Sequence, residues 1–191
     1  MTWAALPLEV HLFYARAYLK PGGAPWERAE PEREALQPFL QLGGRALDLG
    51  CGGGRNALHL AAAGWTVEGV DVYRGPLRRA RRRAQDRGLG ARARFLRAAA
   101  STHLEASAAR YDLILDVLGP ASDLPTSQLG RYGAALAARL APGGCALVYT
   151  FLEAREVGPL FGALEVSAAH EAPPGRWWRL TARGAGLSPG A

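Results

Sequence analysis

From residue 45 onward the chain alternates short apolar runs with longer segments of helical period. The runs predict strands at Arg45–Leu49, Trp65–Val70, Ala91–Arg97, Tyr111–Val117 and Cys145–Phe151. Between them, apolar residues spaced three and four apart predict helices near Arg55–Ala63, Pro76–Arg87, Thr102–Ala108 and Pro125–Leu140. Strands that are apolar throughout are buried on both faces, and strict strand–helix alternation makes a parallel sheet covered by helices on each side. Right-handed crossovers then place any binding crevice at the carboxyl ends of the strands, where strand order reverses.

Ahead of this core, Leu8, Leu12, Tyr14 or Ala15, and Leu19 recur at helical spacing, predicting an amphipathic helix over Leu6–Leu19. Lys20-Pro-Gly-Gly-Ala-Pro-Trp26 reads as a loop, and Glu32–Leu42 as a helix stopped by Gly43-Gly44. Past the core, Ala163–Ala168 and Trp177–Ala182 are strand candidates joined by a Pro-Pro-Gly turn, with Trp177 and Trp178 expected in the core. Beyond Arg183 the Gly, Ser and Pro content predicts a frayed end.

The stretch with the most chemistry is Arg45 to Asn56, RALDLGCGGGRN. A buried strand ending in a carboxylate, then a glycine turn, then a helix start, presents free N–H groups and the positive end of a helix dipole to an anionic group. Two ligand classes fit. Dinucleotide sites use G-x-G-x-x-G, but here the third glycine position holds Arg55, too large for close helix–strand packing. Read as D-x-G-x-G-x-G, the stretch matches at Asp48, Gly50, Gly52 and Gly54. A second signal is Asp71, at the tip of the next strand and about 20 positions past Gly50, where an acidic residue hydrogen-bonds ribose hydroxyls.

Together these motifs resemble class I S-adenosylmethionine-dependent methyltransferases. Leu140-Ala-Pro-Gly-Gly is similar to the LxPGG that precedes the fifth strand of that class, and APWERAEPEREALQPFL resembles the segment before the core of small-molecule methyltransferases of the thiopurine and tellurite-resistance type. The resemblance implies a Rossmann-like α/β fold with a seven-stranded, mostly parallel sheet, helices on both faces and an antiparallel last strand. It implies one methyltransferase domain, with residues 1–42 as a helical cover and 43–185 as the core. It also implies a site for S-adenosylmethionine. Asp48 and the loop backbone of Gly50 to Gly54, including Cys51 and Gly52, hold the methionine end, and Asn56 and Val72 complete the cofactor site. Asp71 takes the ribose, and Ala99 and Ala100 line adenine. Asp116 sits near the transferred methyl, and Trp26 packs on the sulfonium or staples the segment to the core. One departure is plain: where the class often carries an adenine-binding aspartate after the third strand, this chain has Ala98, Ala99 and Ala100. The chain also lacks the Asp/Asn/Ser-Pro-Pro-aromatic signature of many amino methyltransferases.

Composition refines this picture. The 191 residues suit one domain, and no apolar run reaches the ~20 residues of a membrane span. With no basic leader ahead of the apolar N-terminal residues, a cytoplasmic protein is expected. Net charge +6 and a pI of about 9.9 would point to nucleic acid. Yet Lys20, Asn56 and Ile114 are each the sole residue of their type, a bias of GC-rich coding. Arg78, Arg79, Arg81, Arg82 and Arg83 spread around one helix and read as a solvated face, with RNA contact as the alternative. Cys51 and Cys145, and His11, His59, His103 and His170, show no metal-ligand spacing. Cys51 reads as a small residue the loop tolerates, or as a reactive thiol; His59 is expected on the exposed side of its helix, and His11 is the one histidine to test as an acid or base. Three functions are open: a small-molecule methyltransferase, which is the leading reading, an RNA methyltransferase, and a non-catalytic cofactor-binding protein. Nothing in the sequence specifies the acceptor or the oligomeric state.

Overall fold

The computed structural model describes residues 7–152, 154–172 and 175–182. Seven strands, β1 (Arg45–Leu49), β2 (Thr66–Asp71), β3 (Ala93–Arg97), β4 (Tyr111–Val117), β5 (Leu140–Thr150), β6 (Leu164–Ala172) and β7 (Gly175–Ala182), form one sheet in the order β3-β2-β1-β4-β5-β7-β6. The first five run parallel, while β7 lies antiparallel between β5 and β6. This is the predicted Rossmann-like sheet. Strand order reverses at β1, whose neighbours are β2 and β4, so the crevice opens at the ends of these strands.

Helices α3 (Arg55–Ala62) and α4 (Arg74–Asp86) pack on one face over Leu58, Leu77, Phe95, Leu113, Leu115 and Trp177. Helices α5 (Ala100–Ala106), α7 (Thr126–Arg139) and α8 (Ala154–Leu160) cover the other, over Leu47, Leu104, Ile114, Leu136, Phe161 and Trp178. The two adjacent tryptophans of β7 thus serve opposite faces, as the twofold alternation of a strand requires. Both are buried in the core.

The structure departs from the predicted elements in four places. The helix expected over Glu32–Leu42 is one turn, α2 (Arg33–Leu36), followed by a 3₁₀ turn over Gln37–Phe39. Pro38 has no N–H to continue the ladder. Strand β5 begins at Leu140 instead of Cys145: Leu140 pairs with Tyr111, and Ala141 to Gly144 bulge before Cys145 meets Leu113. Short helices α6 (Pro120–Asp123) and α8 were not expected, because neither carries a full apolar period. The proposed turn residues Pro173 and Pro174, Leu6, and the end beyond Ala182 lie outside the described residues.

The fourth departure concerns α1 (Leu8–Tyr18). The amphipathic helix expected here is present, but its leucines do not form the buried face: Leu8, Leu12 and Leu19 are 71 %, 44 % and 83 % exposed, and only Ala17 is buried. The helix instead turns its neighbouring face, His11, Tyr14 and Tyr18, onto the crevice. That edge of the sheet offers hydrogen-bonding groups and ring edges, which aliphatic side chains cannot use.

Candidate functional site

The glycine turn is held by carboxylates from two strand ends. Gly50 and Cys51 both donate N–H bonds to Val70 O at 2.9 and 3.0 Å, fixing the turn to β2. Asp71, buried at the tip of β2, accepts the Gly52 N–H at 2.9 Å through Oδ2 and the Tyr73 N–H at 2.8 Å through Oδ1. Each oxygen keeps a lone pair for a ligand hydroxyl. Burial raises the Asp71 pKa against these hydrogen bonds. Gly54 caps α3 in the left-handed region, φ +77°, and a Cβ there would meet the Phe95 ring at 2.9 Å. Asp48 is buried behind the turn and accepts the Ala57 N–H of α3 at 3.2 Å. Burial pushes its carboxyl up to about 7, opposed by nearby Arg55. Cys51 is buried too, and burial with the adjacent Asp48 raises its thiol well above the ordinary value. It is a packing residue here, with none of the low-pKa setting a reactive thiol needs.

Arg55 and Asn56 point away from the turn toward the preceding segment. Asn56 Oδ1 accepts the Glu32 N–H at 3.0 Å. Arg55 donates to Glu30 O at 2.5 Å and pairs with the Glu32 carboxylate. The large residue at the third glycine position is therefore a clamp on residues 30–32. The buried Oδ1 of Asn56 serves the same purpose. Beyond β3, Ala98 N–H bonds Asp71 O at 3.1 Å, Ala99 is exposed ahead of α5 and Ala100 is buried at its start. Val72 is half-buried and its carbonyl accepts Arg97 Nε at 3.1 Å.

Asp116 ends β4 with 1 % exposure. It accepts three hydrogen bonds: Gly119 N–H at 3.1 Å, Ala121 N–H at 2.9 Å and the Tyr132 hydroxyl at 2.7 Å. Burial still raises its pKa to about 7. The side chain is turned inward and staples a tight turn in which Leu118 takes φ +52°. Among the described residues Leu118 is the one non-glycine with positive φ. A ligand at this lip meets the turn, Val117 to Gly119, before it meets the carboxylate.

Across the mouth lies α1. His11 Nδ1 is 3.0 Å from the Tyr73 hydroxyl on the β2 side. On the β4 side the Tyr14 hydroxyl lies against Leu118 O at 3.4 Å and the Asp123 carboxylate of α6. Between them, the Tyr18 hydroxyl comes within 3.3 Å of where a Cβ on Gly52 would stand, close enough to Asp71 for that charge to help burial raise its pKa. Trp26 stacks on Phe13 at 5.8 Å, meets Tyr14 and Tyr18 edge-on, and donates its Nε1–H to the Tyr18 hydroxyl at 3.4 Å. The result is an aromatic roof over the glycine turn.

A methyltransferase-domain model matches residues 46–144, just over half of the chain. The chain belongs to the methyltransferase-domain family. Its sheet is that of the class I, S-adenosylmethionine-dependent methyltransferases. Solved structures similar to it include the PH0226 protein of Pyrococcus horikoshii, with TM-score 0.65 at 17 % identity over 78 % of this chain and 88 % of that one. A protein from a study of conversion of a disulfide bond into a thioacetal group in echinomycin biosynthesis gives TM-score 0.66 at 25 % identity over 89 % and 90 %. The NcsB1 O-methyltransferase of neocarzinostatin biosynthesis, solved with S-adenosylmethionine and 2-hydroxy-5-methyl naphthoic acid, gives TM-score 0.66 at 21 % identity over 78 % and 52 %. A search of curated protein sequences returns no match.

Of the residues around the crevice, the sequence singles out His11, and not Tyr18 or Glu27. His11, Tyr14 and Tyr18 stand at i, i+3 and i+7, one helix face, and that spacing of polar rings was the available signal. Glu27, Arg79 and Arg83 carried none. The arginine helix is only partly a solvated face: Arg79 and Arg83 turn toward the glycine loop and Arg81 bonds Phe95 O, while Arg78 and Arg82 are exposed. His59 is half-buried, not on an open face; burial and the nearby Arg33 guanidinium lower its pKa.

Proposed function

We propose that this methyltransferase transfers the methyl group of S-adenosylmethionine to an S, N or O nucleophile on a small molecule, in the manner of the thiopurine and tellurite-resistance type. The donor's methionine end lies by Asp48 and the glycine turn, its ribose on Asp71, and its adenine over Val72, Ala99 and Ala100. Asp116 acts through the turn it staples. The sulfonium then faces Trp26 and Tyr18, where ring faces attract a cation by ~0.5–2 kcal/mol. The transfer is an in-line displacement with a good leaving group already present, so the protein's work is to align the reactants and exclude water. Alignment alone is worth effective molarities of ~10⁵–10⁸ M.

The observation that carries the small-molecule reading is the roof. Rings from α1 and Trp26 span the crevice mouth, a cover suited to an apolar or aromatic acceptor that fits beneath it. Two structural neighbours come from echinomycin and neocarzinostatin biosynthesis, one from a study of conversion of a disulfide bond and one solved with 2-hydroxy-5-methyl naphthoic acid. The exposed Arg78 and Arg82 favour RNA as the second reading. Transfer assays with thiols, phenols and amines beside RNA separate them. Turnover on a small acceptor that is insensitive to salt is expected. Transfer to RNA with affinity falling steeply in salt would overturn the small-molecule reading.

Asp48 gives a second expected result. Its carboxyl titrates at about 7 in the free protein, and a ligand ammonium beside it favours the charged form. Binding of S-adenosylmethionine should therefore release protons between about pH 5 and 7, and affinity should weaken as pH falls through that range. Calorimetric titrations in buffers of different ionisation enthalpy measure this. Proton uptake, or no exchange at pH 6, would remove Asp48 from the methionine end.

A further inference from the structure

One side chain fastens the roof to the loop beneath it. Glu27, at the end of the 3₁₀ turn Pro25–Glu27, has no exposed side-chain surface. Its Oε2 accepts the Ala24 N–H at 3.0 Å and Arg79 Nη2 at 2.6 Å, and its Oε1 accepts Arg79 Nε at 3.2 Å. The fork of one guanidinium on both oxygens fixes direction as well as distance. The glycine turn is the next neighbour. A Cβ on Gly53 would collide with Glu27 Oε1 and lie 2.6 Å from Arg83 Nη1, and the same Arg83 nitrogen donates to Gly53 O at 2.9 Å. Gly53 is thus held between Glu27 above and Arg83 at its side. Asp71 meanwhile holds Gly52.

An ion pair with one partner fully buried and the other, Arg79, 30 % exposed is a poor way to gain stability, because desolvation of the buried carboxylate offsets its attraction. What it supplies is a single geometry. Here three pieces distant in sequence meet at it: the turn carrying Trp26, the glycine loop, and the helix that follows Asp71. We propose that Glu27 and Arg79 are positioning residues for the methyl donor, holding Gly53 and Trp26 where they close on it without rearrangement. This rests on the crevice being the donor site. Such preorganisation appears as affinity, since ordering is complete before the ligand arrives.

The test is calorimetric titration of S-adenosylhomocysteine into the wild type, Glu27→Gln, Arg79→Met, Arg79→Lys and Arg78→Met, with the unfolding temperature of each free protein. Arg78→Met, on the exposed side of the same helix, is expected to bind as the wild type does. Glu27→Gln and Arg79→Met should weaken binding by about tenfold or more, ~1.4 kcal/mol. Arg79→Lys, which keeps the charge and loses the fork, should fall between. A purely structural pair would lower the unfolding temperature and leave the affinity of the folded protein unchanged. Affinity within twofold of wild type in both Glu27→Gln and Arg79→Met overturns the proposal. Should those two fail to fold, Glu27→Asp decides it: the charge remains but the reach to Arg79 is shortened, and unchanged affinity overturns the proposal equally. A wild type that binds no S-adenosylhomocysteine would overturn the donor site itself, a result distinct from equal binding by all variants.

Discussion

Asp71→Ala abolishes the response of this protein to its methyl donor. In the wild type, ligand at ~100 times Kd adds ~2.7 kcal/mol, a rise in unfolding temperature of roughly 5–10 °C for a chain of this length. S-adenosylmethionine and S-adenosylhomocysteine should both give that rise, and NAD should not. With the ribose on Asp71, as proposed, its two hydroxyls lose an acidic acceptor in the variant. At ~1.5–3 kcal/mol for each such bond, affinity falls by at least about a hundredfold. The free protein suffers as well, because the Gly52 and Tyr73 N–H groups lose their acceptor, each at ~1–3 kcal/mol if left unpaired. Asp71→Asn keeps one acceptor oxygen and should fall between. A full ligand-induced rise retained in Asp71→Ala would remove the ribose from this carboxylate.

Asp116→Ala has the largest expected effect on stability. Three donors converge on this buried carboxylate, and they hold a turn whose Leu118 stands in a disfavoured backbone region. Removing the acceptor strands buried donors, and we expect a loss of about 3–5 kcal/mol, or roughly 6–20 °C in the unfolding temperature. Tyr132→Phe, which removes one donor of three, should cost about 1–2 kcal/mol. The pH dependence follows from the raised pKa values. Asp48 and Asp116 titrate at about 7 when folded and near 3.9 when unfolded. Between about pH 4 and 7 the folded state binds more protons, so wild-type stability declines as pH rises through that window, by at most ~1.4 kcal/mol per unit per group. Asp116→Ala should flatten this slope and be most damaging at the acid end. A melt within 2–3 °C of wild type, in the units of that same roughly 2–4 °C per kcal/mol, would show that the turn stands without its staple.

The strands and the glycine loop were legible in the sequence because both are local facts. An apolar run of five residues such as Arg45–Leu49 has few ways to be buried, and glycines at Gly50, Gly52 and Gly54 between a strand and a helix allow few ligands. With Asp71 at the correct spacing, they were enough for the sheet and the family, and they point to the carboxyl ends of β1 and β2 as the edge we propose binds the donor. Where local pattern misled, a tertiary partner had overruled it. The leucines of α1 set its helical period but not its buried face, since the crevice offered Tyr73, Leu118 and Asp123 to the ring-bearing face beside them. Arg55 looked like a defect in a glycine motif until the structure showed Glu30 and Glu32 beneath its guanidinium. The three donors that meet at Asp116 come from residues 119, 121 and 132, and only folding brings them to one point. Glu27 and Arg79 are 52 positions apart, and neither has a local pattern to mark it. Periodicity and spacing encode what a residue does with its neighbours in sequence. The choice of partner for a buried charge is made by the free energy of desolvation, and only the packed chain brings the partner within reach.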